Sequence, residues 1–171
     1  MPVLTKKFFE RPTLKVAQKL LGKFLCRKIK GKVYKFAITE VEAYDGPKDK
    51  ASHAHRGKTS RNAPMFGSAG VWYVYFVYGI YNMLNIVTGP KDYPAAVLIR
   101  GIEGINGPAR LTKKLKIDKK FNEKPAIKKT GLWIEDGGVK IKKSQIKSSP
   151  RIGIPYAEEW KDKHYRFYLK I

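Results

Sequence analysis

Two glutamates, Glu40 and Glu42, lie two residues apart in a stretch with strong strand propensity. Side chains alternate along a strand, so both are predicted to lie on one face, together with Phe36 and Ile38. Two carboxylates about 6 to 7 Å apart in a poorly solvated place perturb each other's pKa, and one of them could then act as a general base. The alternative is that one or both end the strand in solvent and pair with some of the many lysines.

His53 and His55 form an H-x-H pair in the polar loop of residues 45–65. Such a pair suggests a metal site, but no cysteine is near and Asp49 is the one obvious further ligand. Loop histidines are more often hydrogen-bonded surface groups, so the sequence predicts no metal site. A polar loop of this length in a compact domain is usually functional or mobile.

Aromatic residues follow this loop. The next predicted strand places Trp72, Val74 and Phe76 in the sheet core, and Tyr73 and Tyr75 on the opposite face. Aromatic side chains beside a polar loop in a cationic chain could stack on nucleic-acid bases, which contributes about 1 to 3 kcal/mol per base whatever the base is.

Tyr78 precedes Gly79 in a predicted hairpin turn. A large, half-apolar ring at an exposed turn needs something to insert into, and stacked bases are one such environment.

The chain has 171 residues, with 28 Lys and 8 Arg against 14 acidic residues, and a formal net charge of +22. It is 43% hydrophobic and 12% aromatic, which predicts one folded domain over residues 1–171 and argues against a disordered basic tail. The charge favours binding to polyanions, of which nucleic acid is the first candidate. The excess of lysine favours contacts with phosphates over the recognition of guanines.

Cys26 is the only cysteine, so an intramolecular disulfide and a cysteine zinc cluster are both excluded. A reducing, intracellular location is expected: the cytoplasm or nucleoid, or the nucleus in a eukaryote. The N-terminal residues lack a signal-peptide pattern, and the most apolar stretch, residues 71–87, is broken by Gly79, Asn82 and Asn85. Neither a signal peptide nor a membrane span is predicted.

The remaining patterns predict a mixture of helices and strands. Helices are expected at about residues 12–21 and 108–115, and strands at 24–29, 32–43, 71–77, 80–88, 95–100 and 165–171. Hairpin turns are expected at Lys30-Gly31 and Tyr78-Gly79, and the lysine-rich run 113–129 is expected to be a solvated surface. These elements alone indicate only a mixed α and β fold.

A strand-end carboxylate, neighbouring aromatic rings, a protruding tyrosine and a cationic surface together fit an enzyme that extrudes a nucleotide and attacks it. Zinc-dependent deamination is disfavoured because the chain has no C-x-x-C motif, which leaves cleavage of a glycosidic bond by carboxylate-activated water. Two alternatives stay open: a carbohydrate glycosidase with Glu40 and Glu42 as its acid and base, and a non-catalytic RNA-binding or ribosome-associated protein. The net charge is a poor match for neutral sugars, and a pure binding protein leaves Glu42 without a role.

Several motifs follow one another over nearly the whole chain: Phe8-Phe9-Glu10-Arg11-Pro12, Thr39-Glu40-Val41-Glu42-Ala43-Tyr44, Gly46-Pro47, His53, Arg61-Asn62, Met65-Phe66, Tyr73-Val74-Tyr75, Tyr78-Gly79, Asn85-Ile86, Leu98-Ile99-Arg100, Pro150-Arg151-Ile152-Gly153-Ile154 and Arg166-Phe167-Tyr168. In this order they resemble the alkyladenine, or 3-methyladenine, DNA glycosylases of the methylpurine type.

The resemblance implies which glutamate performs the chemistry. Glu42, the second carboxylate of its motif, would activate water, and Glu40 would not. Arg100, together with the backbone carbonyl of Ile152, would position that water against Glu42.

The resemblance also implies how a base would be bound. Tyr44, His53 and Tyr75 would sandwich the extruded base, and Asn85 would stand at the floor of the pocket, where it can reject purines with a normal exocyclic amino group. Tyr78 would enter the minor groove and fill the gap left by the flipped nucleotide.

The implied activity is that of a monofunctional DNA glycosylase. It would remove 3-methyladenine and 7-methylguanine from double-stranded DNA, with hypoxanthine as a further candidate, and would leave an abasic site. No metal and no cofactor is implied, and the protein is expected to be a monomer. The implied fold is one compact mixed α/β (α+β) domain, with a curved, mainly antiparallel and open-barrel-like sheet flanked by helices.

Overall fold

The computed structural model describes residues 1–170, which form a nine-stranded sheet and three short α-helices. The strand pairs within the sheet are antiparallel. The strands are β1 (Phe24–Ile29), β2 (Lys32–Asp45), β3 (Trp72–Val77), β4 (Tyr81–Val87), β5 (Ala95–Ile102), β6 (Ile105–Asn106), β7 (Leu132–Glu135), β8 (Ile146–Ser149) and β9 (Arg166–Leu169). The helices are α1 (Lys6–Phe9), α2 (Thr13–Leu20) and α3 (Pro108–Lys114). The predicted α+β fold with a mainly antiparallel, open sheet is confirmed.

Helices α2 and α3 cover the sheet. The apolar stripe of α2, formed by Val16, Ala17 and Leu20, is fully buried, and the helix contacts β2 and β5. Helix α3 begins at Pro108, where the fixed φ and the missing N–H of proline suit the first helical position, and it contacts β4 and β5. Both helices lie where the sequence predicts them.

Strand β2 holds the sheet together. Its first half, residues 32–37, pairs with β1, whereas its second half pairs with β5 on one side and β9 on the other. The order across the sheet is β3-β4-β5-β2-β1-β7, with β9 beside β2 and β8 beside β9. The second half of β2, which carries both glutamates, therefore lies between two strands that can supply partners.

The pairing of β2 with β5 is irregular beside the two glutamates. Ile38 is aligned with Ile102, Glu40 with Gly101 and Val41 with Ile99. The register therefore changes twice: β2 has one extra residue between Ile38 and Glu40, and β5 has Arg100 as an extra residue between Ile99 and Gly101. A bulge of this kind reverses the alternation of side chains. Phe36 and Ile38 therefore pack in the main core, and the prediction that they share the face of Glu40 and Glu42 is wrong.

The β3–β4 hairpin extends beyond the rest of the sheet. Strand β4 pairs with β5 only from Asn85 onward, so the residues nearest the turn have no third strand beside them. Trp72 and Val74 are buried in the main core, as predicted. Phe76 is 42% exposed, and its predicted place in the core is wrong because alternation does not reveal where a hairpin leaves its sheet.

Strands β6, β7 and β8 are not predicted from the sequence, and each has four residues or fewer. The strand predicted at residues 165–171 is observed as β9, and residue 171 lies outside the described residues.

The lysines of the run 113–129 are exposed, as predicted. No helix in the described part of the chain combines the length and the apolar character that a membrane span needs.

Candidate active site

A cavity of about 540 Å³ opens between β2, β3, β4 and β5 and two loops. The residues proposed from the sequence all line it: Glu42, Tyr44, His53, Tyr75, Tyr78, Asn85, Arg100 and Ile152. A volume of this size is typical of sites for small organic ligands. The fold therefore collects in one place residues as much as 110 positions apart, as in the contact between Glu42 and Ile152.

Glu42 is fully buried in the wall of this cavity. Its Oε1 accepts a hydrogen bond from Arg100 Nη1 at 3.0 Å, and its Oε2 accepts one from the backbone N–H of Ile152 at 3.0 Å. Burial raises the pKa of the Glu42 carboxyl above its ordinary value, and the Arg100 charge, the Ile152 N–H and the Arg151 charge oppose that rise. The observed contact from Ile152 to Glu42 uses the N–H of Ile152 and not its carbonyl.

Arg100 links the two glutamates of β2. Its Nε donates to Glu40 Oε1 at 3.2 Å, while its Nη1 donates to Glu42. Arg166 on β9 also donates to Glu40 Oε1, from Nη1 at 3.1 Å. Glu40 and Glu42 thus share a face, as predicted, and both are engaged by the same arginine.

Three aromatic rings form one side of the cavity. The centroids of His53 and Tyr75 are 4.5 Å apart with an edge-to-face geometry, and those of Tyr73 and Tyr75 are 5.2 Å apart. The Nδ1 atom of His53 lies 3.2 Å from the hydroxyl of Tyr73. Partial desolvation, followed by the nearby Arg61 charge, lowers the pKa of His53, so the ring is neutral at neutral pH. The sequence placed Tyr73 and Tyr75 together as possible base-stacking residues, but only Tyr75 was assigned to the base-binding site.

Tyr44 lies on the strand of Glu42 and also lines the cavity. Burial, and then the Glu42 charge, raises the pKa of its phenol well above the ordinary value, so the hydroxyl stays protonated. The guanidinium carbon of Arg151 is 4.9 Å from the centre of the Tyr44 ring and 5.1 Å from that of Tyr165. The Tyr44 ring is therefore held by a cation from outside the cavity.

Asn85 is a buried polar residue of β4 that lines the cavity beside Leu98. Its side-chain nitrogen donates to the carbonyl oxygens of Tyr73 at 3.2 Å and Met83 at 3.4 Å. These bonds fix the orientation of the amide, so the group presents one shape to any ligand.

Tyr78 lies at the turn of the β3–β4 hairpin with 90% of its surface exposed. Tyr78 and Gly79 have φ values of 53° and 67°, and the N–H of Ile80 donates to the carbonyl of Val77. Two successive left-handed residues are the signature of a type I′ turn, which suits the twist of a hairpin. The predicted turn at Tyr78-Gly79 is confirmed, and it presents a large ring to solvent at the rim of the cavity.

Known proteins are similar to this chain over nearly its full length. The profile of the family described as methylpurine-DNA glycosylase matches residues 7–171. The chain belongs to this family. A relative from Methanocella arvoryzae is 42% identical over 190 residues, which cover 99% of this chain and 94% of the relative. A relative from Sodalis glossinidius is 44% identical over 172 residues, which cover 96% of this chain and 95% of the relative. Both carry the name "Putative 3-methyladenine DNA glycosylase".

A buried ion pair behind the cavity was not predicted from the sequence. Arg151 donates to both carboxylate oxygens of Asp49, at 2.6 and 2.9 Å, and neither side chain is exposed. Asp49 also accepts from the backbone N–H groups of Asp45 and Ala51. From the sequence, Asp49 was considered only as a weak metal ligand, and the 102 positions between the partners leave no local signal of the pair.

The histidine pair does not converge. His55 Nδ1 lies 2.9 Å from the carbonyl oxygen of Pro47, whereas His53 faces Tyr73 in the cavity. Within residues 1–170, no three His, Cys, Asp or Glu side chains are grouped as metal ligands.

Proposed function

We propose that the protein is a monofunctional DNA glycosylase that releases alkylated purines, such as 3-methyladenine and 7-methylguanine, from double-stranded DNA. Residues 1–171 would act as one glycosylase domain. Family membership supports this chemistry, and the observation that carries the proposal is the state of Glu42. It is a fully buried carboxylate in the wall of an aromatic cavity, with each oxygen bound to one donor.

The cavity is suited to a nucleobase that has been rotated out of the duplex. Tyr44, His53 and Tyr75 would contact the faces of the base, and Asn85 would reject purines that carry an unmodified exocyclic amino group. Alkylation at N3 of adenine or N7 of guanine makes the base cationic, and electron-rich aromatic faces attract a cation more strongly than its neutral counterpart. The neutral state of His53 adds no opposing charge.

Glu42 would act as the general base. As the bond between C1′ and the base nitrogen lengthens, the electron pair of that bond neutralises the cationic base, and the sugar becomes similar to an oxocarbenium ion. Water then forms a bond to C1′ and transfers a proton to Glu42. Arg100 and the Ile152 carbonyl would position the water, and the products are the free base and an abasic site.

Tyr78 would occupy the space that the flipped nucleotide leaves. Extrusion of a base unstacks its neighbours, and an inserted side chain compensates for part of that cost. The 90% exposure of Tyr78 at a defined turn supports this role.

The geometry disfavours a carbohydrate glycosidase. Glycosidases place two carboxyl groups on either side of the scissile bond. Here Glu40 and Glu42 lie on one face and are bound by the same arginine, Arg100, so they do not oppose each other across a ligand.

The substrate assignment is tested by the release of free bases. Purified protein is incubated with duplex DNA containing 3-methyladenine, 7-methylguanine or hypoxanthine, and with undamaged DNA as the control. We expect release of the methylated bases and an abasic site at the same position, and the relative rates define the lesion range. Binding to the same DNA without release of any base would instead indicate a non-catalytic nucleic-acid-binding protein.

A further inference from the structure

We propose that Glu40 and Arg166 are a positioning pair that fixes both hydrogen-bond donors of the Glu42 carboxylate. The inference rests on the proposed role of Glu42 as the general base. It assigns a role to a glutamate and an arginine that would not touch the substrate, since neither lines the cavity.

The first donor, Arg100, is held through Glu40. Its guanidinium lies between two carboxylates, with Nε 3.2 Å from Glu40 Oε1 and Nη1 3.0 Å from Glu42 Oε1. An arginine bound at two points cannot rotate about its terminal bonds without losing one of them. Glu40 therefore determines the direction in which Arg100 presents Nη1 to Glu42.

The second donor, the N–H of Ile152, is held through Arg166. Arg166 Nη1 donates to Glu40 Oε1 at 3.1 Å, and its Nε donates to the carbonyl of Pro150 at 3.1 Å. Pro150 is two residues before Ile152, whose N–H binds Glu42 Oε2. One arginine thus connects the carboxylate that holds Arg100 with the segment that supplies the second donor.

The irregular pairing of β2 and β5 places Glu40 where it can reach both arginines. Glu40 is aligned with Gly101, and a Cβ atom at Gly101 would be 3.1 Å from Glu40 Cβ and 3.0 Å from Thr39 Oγ1. Glycine at this position permits the close approach of the two strands. The side chains of Arg100, Glu40 and Arg166 are only 14%, 18% and 22% exposed, so solvent screens their interactions less than those of surface ion pairs.

The test is Glu40→Gln, which preserves the size of the side chain and removes its charge. Single-turnover release of 3-methyladenine should fall about ten- to a hundred-fold, because Arg100 is no longer fixed against the base and small displacements are costly in rate. The affinity for the same DNA should change less than about twofold, since Glu40 lies outside the cavity. The matched control is Glu103→Gln, an exposed glutamate just after β5, which should keep the wild-type rate.

The pH profile separates positioning from a simple charge effect. The ionisable groups around Glu42 and in its cavity are Glu40 and Tyr44 on β2, His53 and Arg61 in the loop after β2, Tyr73 and Tyr75 on β3, Tyr78 at the hairpin turn, Arg100 on β5, Arg166 on β9, and Arg151 and Tyr156 in the loop before β9. Removal of a nearby negative charge alone would lower the pKa of Glu42 and move the acid limb of the rate to lower pH. Loss of a fixed Arg100 would instead raise the pKa of Glu42, because the charge of Arg100 lowers that pKa. We therefore expect the acid limb of Glu40→Gln to move to higher pH.

A second variant keeps the test valid if Glu40→Gln folds poorly. Arg166→Lys keeps the positive charge but cannot bridge Glu40 and Pro150 with a planar fork. It should lower the rate with little effect on affinity, and its effect should not add to that of Glu40→Gln, since both break one network.

Full base release by either variant with an unchanged pH profile overturns the positioning role alone. The same holds if the acid limb of Glu40→Gln moves to lower pH. A wild-type protein that releases no base overturns the proposed function, and with it the positioning role.

Discussion

Opposing effects act on the pKa of the Glu42 carboxyl. Its burial favours the protonated form, whereas Arg100, the N–H of Ile152 and Arg151 favour the ionised form. The net result is a pKa above the ordinary glutamate value, which brings a general base closer to the pH at which it must both hold and release a proton. A carboxylate in open solvent would be a weaker base, and one bound more strongly by cationic groups would be weaker still.

The pH dependence of the rate follows from this pKa. Glu42 must be ionised to accept a proton, so single-turnover base release should rise with pH, with a midpoint above the ordinary pKa of glutamate. Arg100→Gln should move the midpoint higher, because it removes the strongest of the effects that lower this pKa. Rates measured between about pH 5 and pH 8 test this. Arg110→Gln, an exposed arginine outside the cavity, is the control, and a midpoint that Arg100→Gln leaves in place or lowers would contradict the assignment.

At the scale of elements, the site depends on contacts between loops as much as on strands. The loop after β2 is joined to the segment before β9 by the buried pair of Asp49 and Arg151. Arg151 Nη1 also donates to the carbonyl of Ala43 at 2.9 Å, so the pair fixes both segments against β2. This arrangement supports the wall of the cavity from behind Tyr44.

Asp49→Asn should destabilise the fold strongly. The substitution keeps the shape but leaves the buried Arg151 without a carboxylate, and the loss of one partner from a buried pair costs about 3 to 5 kcal/mol. The urea midpoint should fall accordingly. Glu158→Gln removes an acidic partner from the exposed pair with Lys50 and should leave the midpoint nearly unchanged. Equal midpoints for the two variants would refute the structural role of the buried pair.

The β3–β4 hairpin makes a separate prediction. Tyr78→Ser should weaken binding to lesion-containing duplex about tenfold or more, because one aromatic–base contact contributes about 1 to 3 kcal/mol. The thermal midpoint should be unchanged, since the ring is 90% exposed. Tyr34→Ser, on the β1–β2 hairpin at a different part of the sheet, is the matched control in the binding titration. A lesion affinity that Tyr78→Ser leaves unaltered would contradict the insertion of Tyr78 into the space left by the flipped nucleotide.

At the scale of the whole molecule, the net charge of +22 predicts DNA affinity that falls steeply with salt. A second cavity of about 430 Å³ beside the hairpin is lined by Ile80, Tyr81, Lys113 and Lys116, among others. These lysines are exposed and lie next to the residues that follow Tyr78. If Tyr78 inserts into DNA as proposed, these lysines are placed to contact phosphates on the flank of the hairpin.

Replacement of Lys113 and Lys116 with Gln should reduce the slope of log affinity against log salt. The expected change is about 1.8, from about 0.9 for each phosphate contact that is lost. Single-turnover rates at saturating protein should stay at the wild-type value, because neither lysine lines the active-site cavity. Replacement of Lys28 and Lys30 near the β1–β2 turn is the control, and equal slopes for the two double variants would argue against contact in this cavity.

Local sequence patterns predicted the main helices, strands and turns. Contacts between residues far apart in the chain could not be predicted in this way. The apolar stripe of α2 and the turn at Tyr78-Gly79 depend on neighbouring residues, so the sequence located both. The cavity residues came from the motif resemblance, and the structure brings them together. The hydrogen bond between Glu40 and Arg166 joins residues 126 positions apart, and no periodic sequence pattern predicts such a contact.

The bulge between β2 and β5 had no local signal either. Strict alternation placed Ile38 with Glu42, whereas the irregular register sends Ile38 into the core and leaves Arg100 free to engage both glutamates. Such irregularities depend on how two strands fit against each other, which one strand's sequence does not contain.

The most direct measurement is single-turnover release of 3-methyladenine from a defined duplex by the wild-type protein and by Glu42→Gln, with affinity for the same duplex measured in parallel. We predict that Glu42→Gln loses about two to four decades of rate and keeps its affinity. Its thermal midpoint at neutral pH should be no lower, because burial of a charge is no longer required. Base release by Glu42→Gln at the wild-type rate would contradict the assignment of Glu42 as the general base.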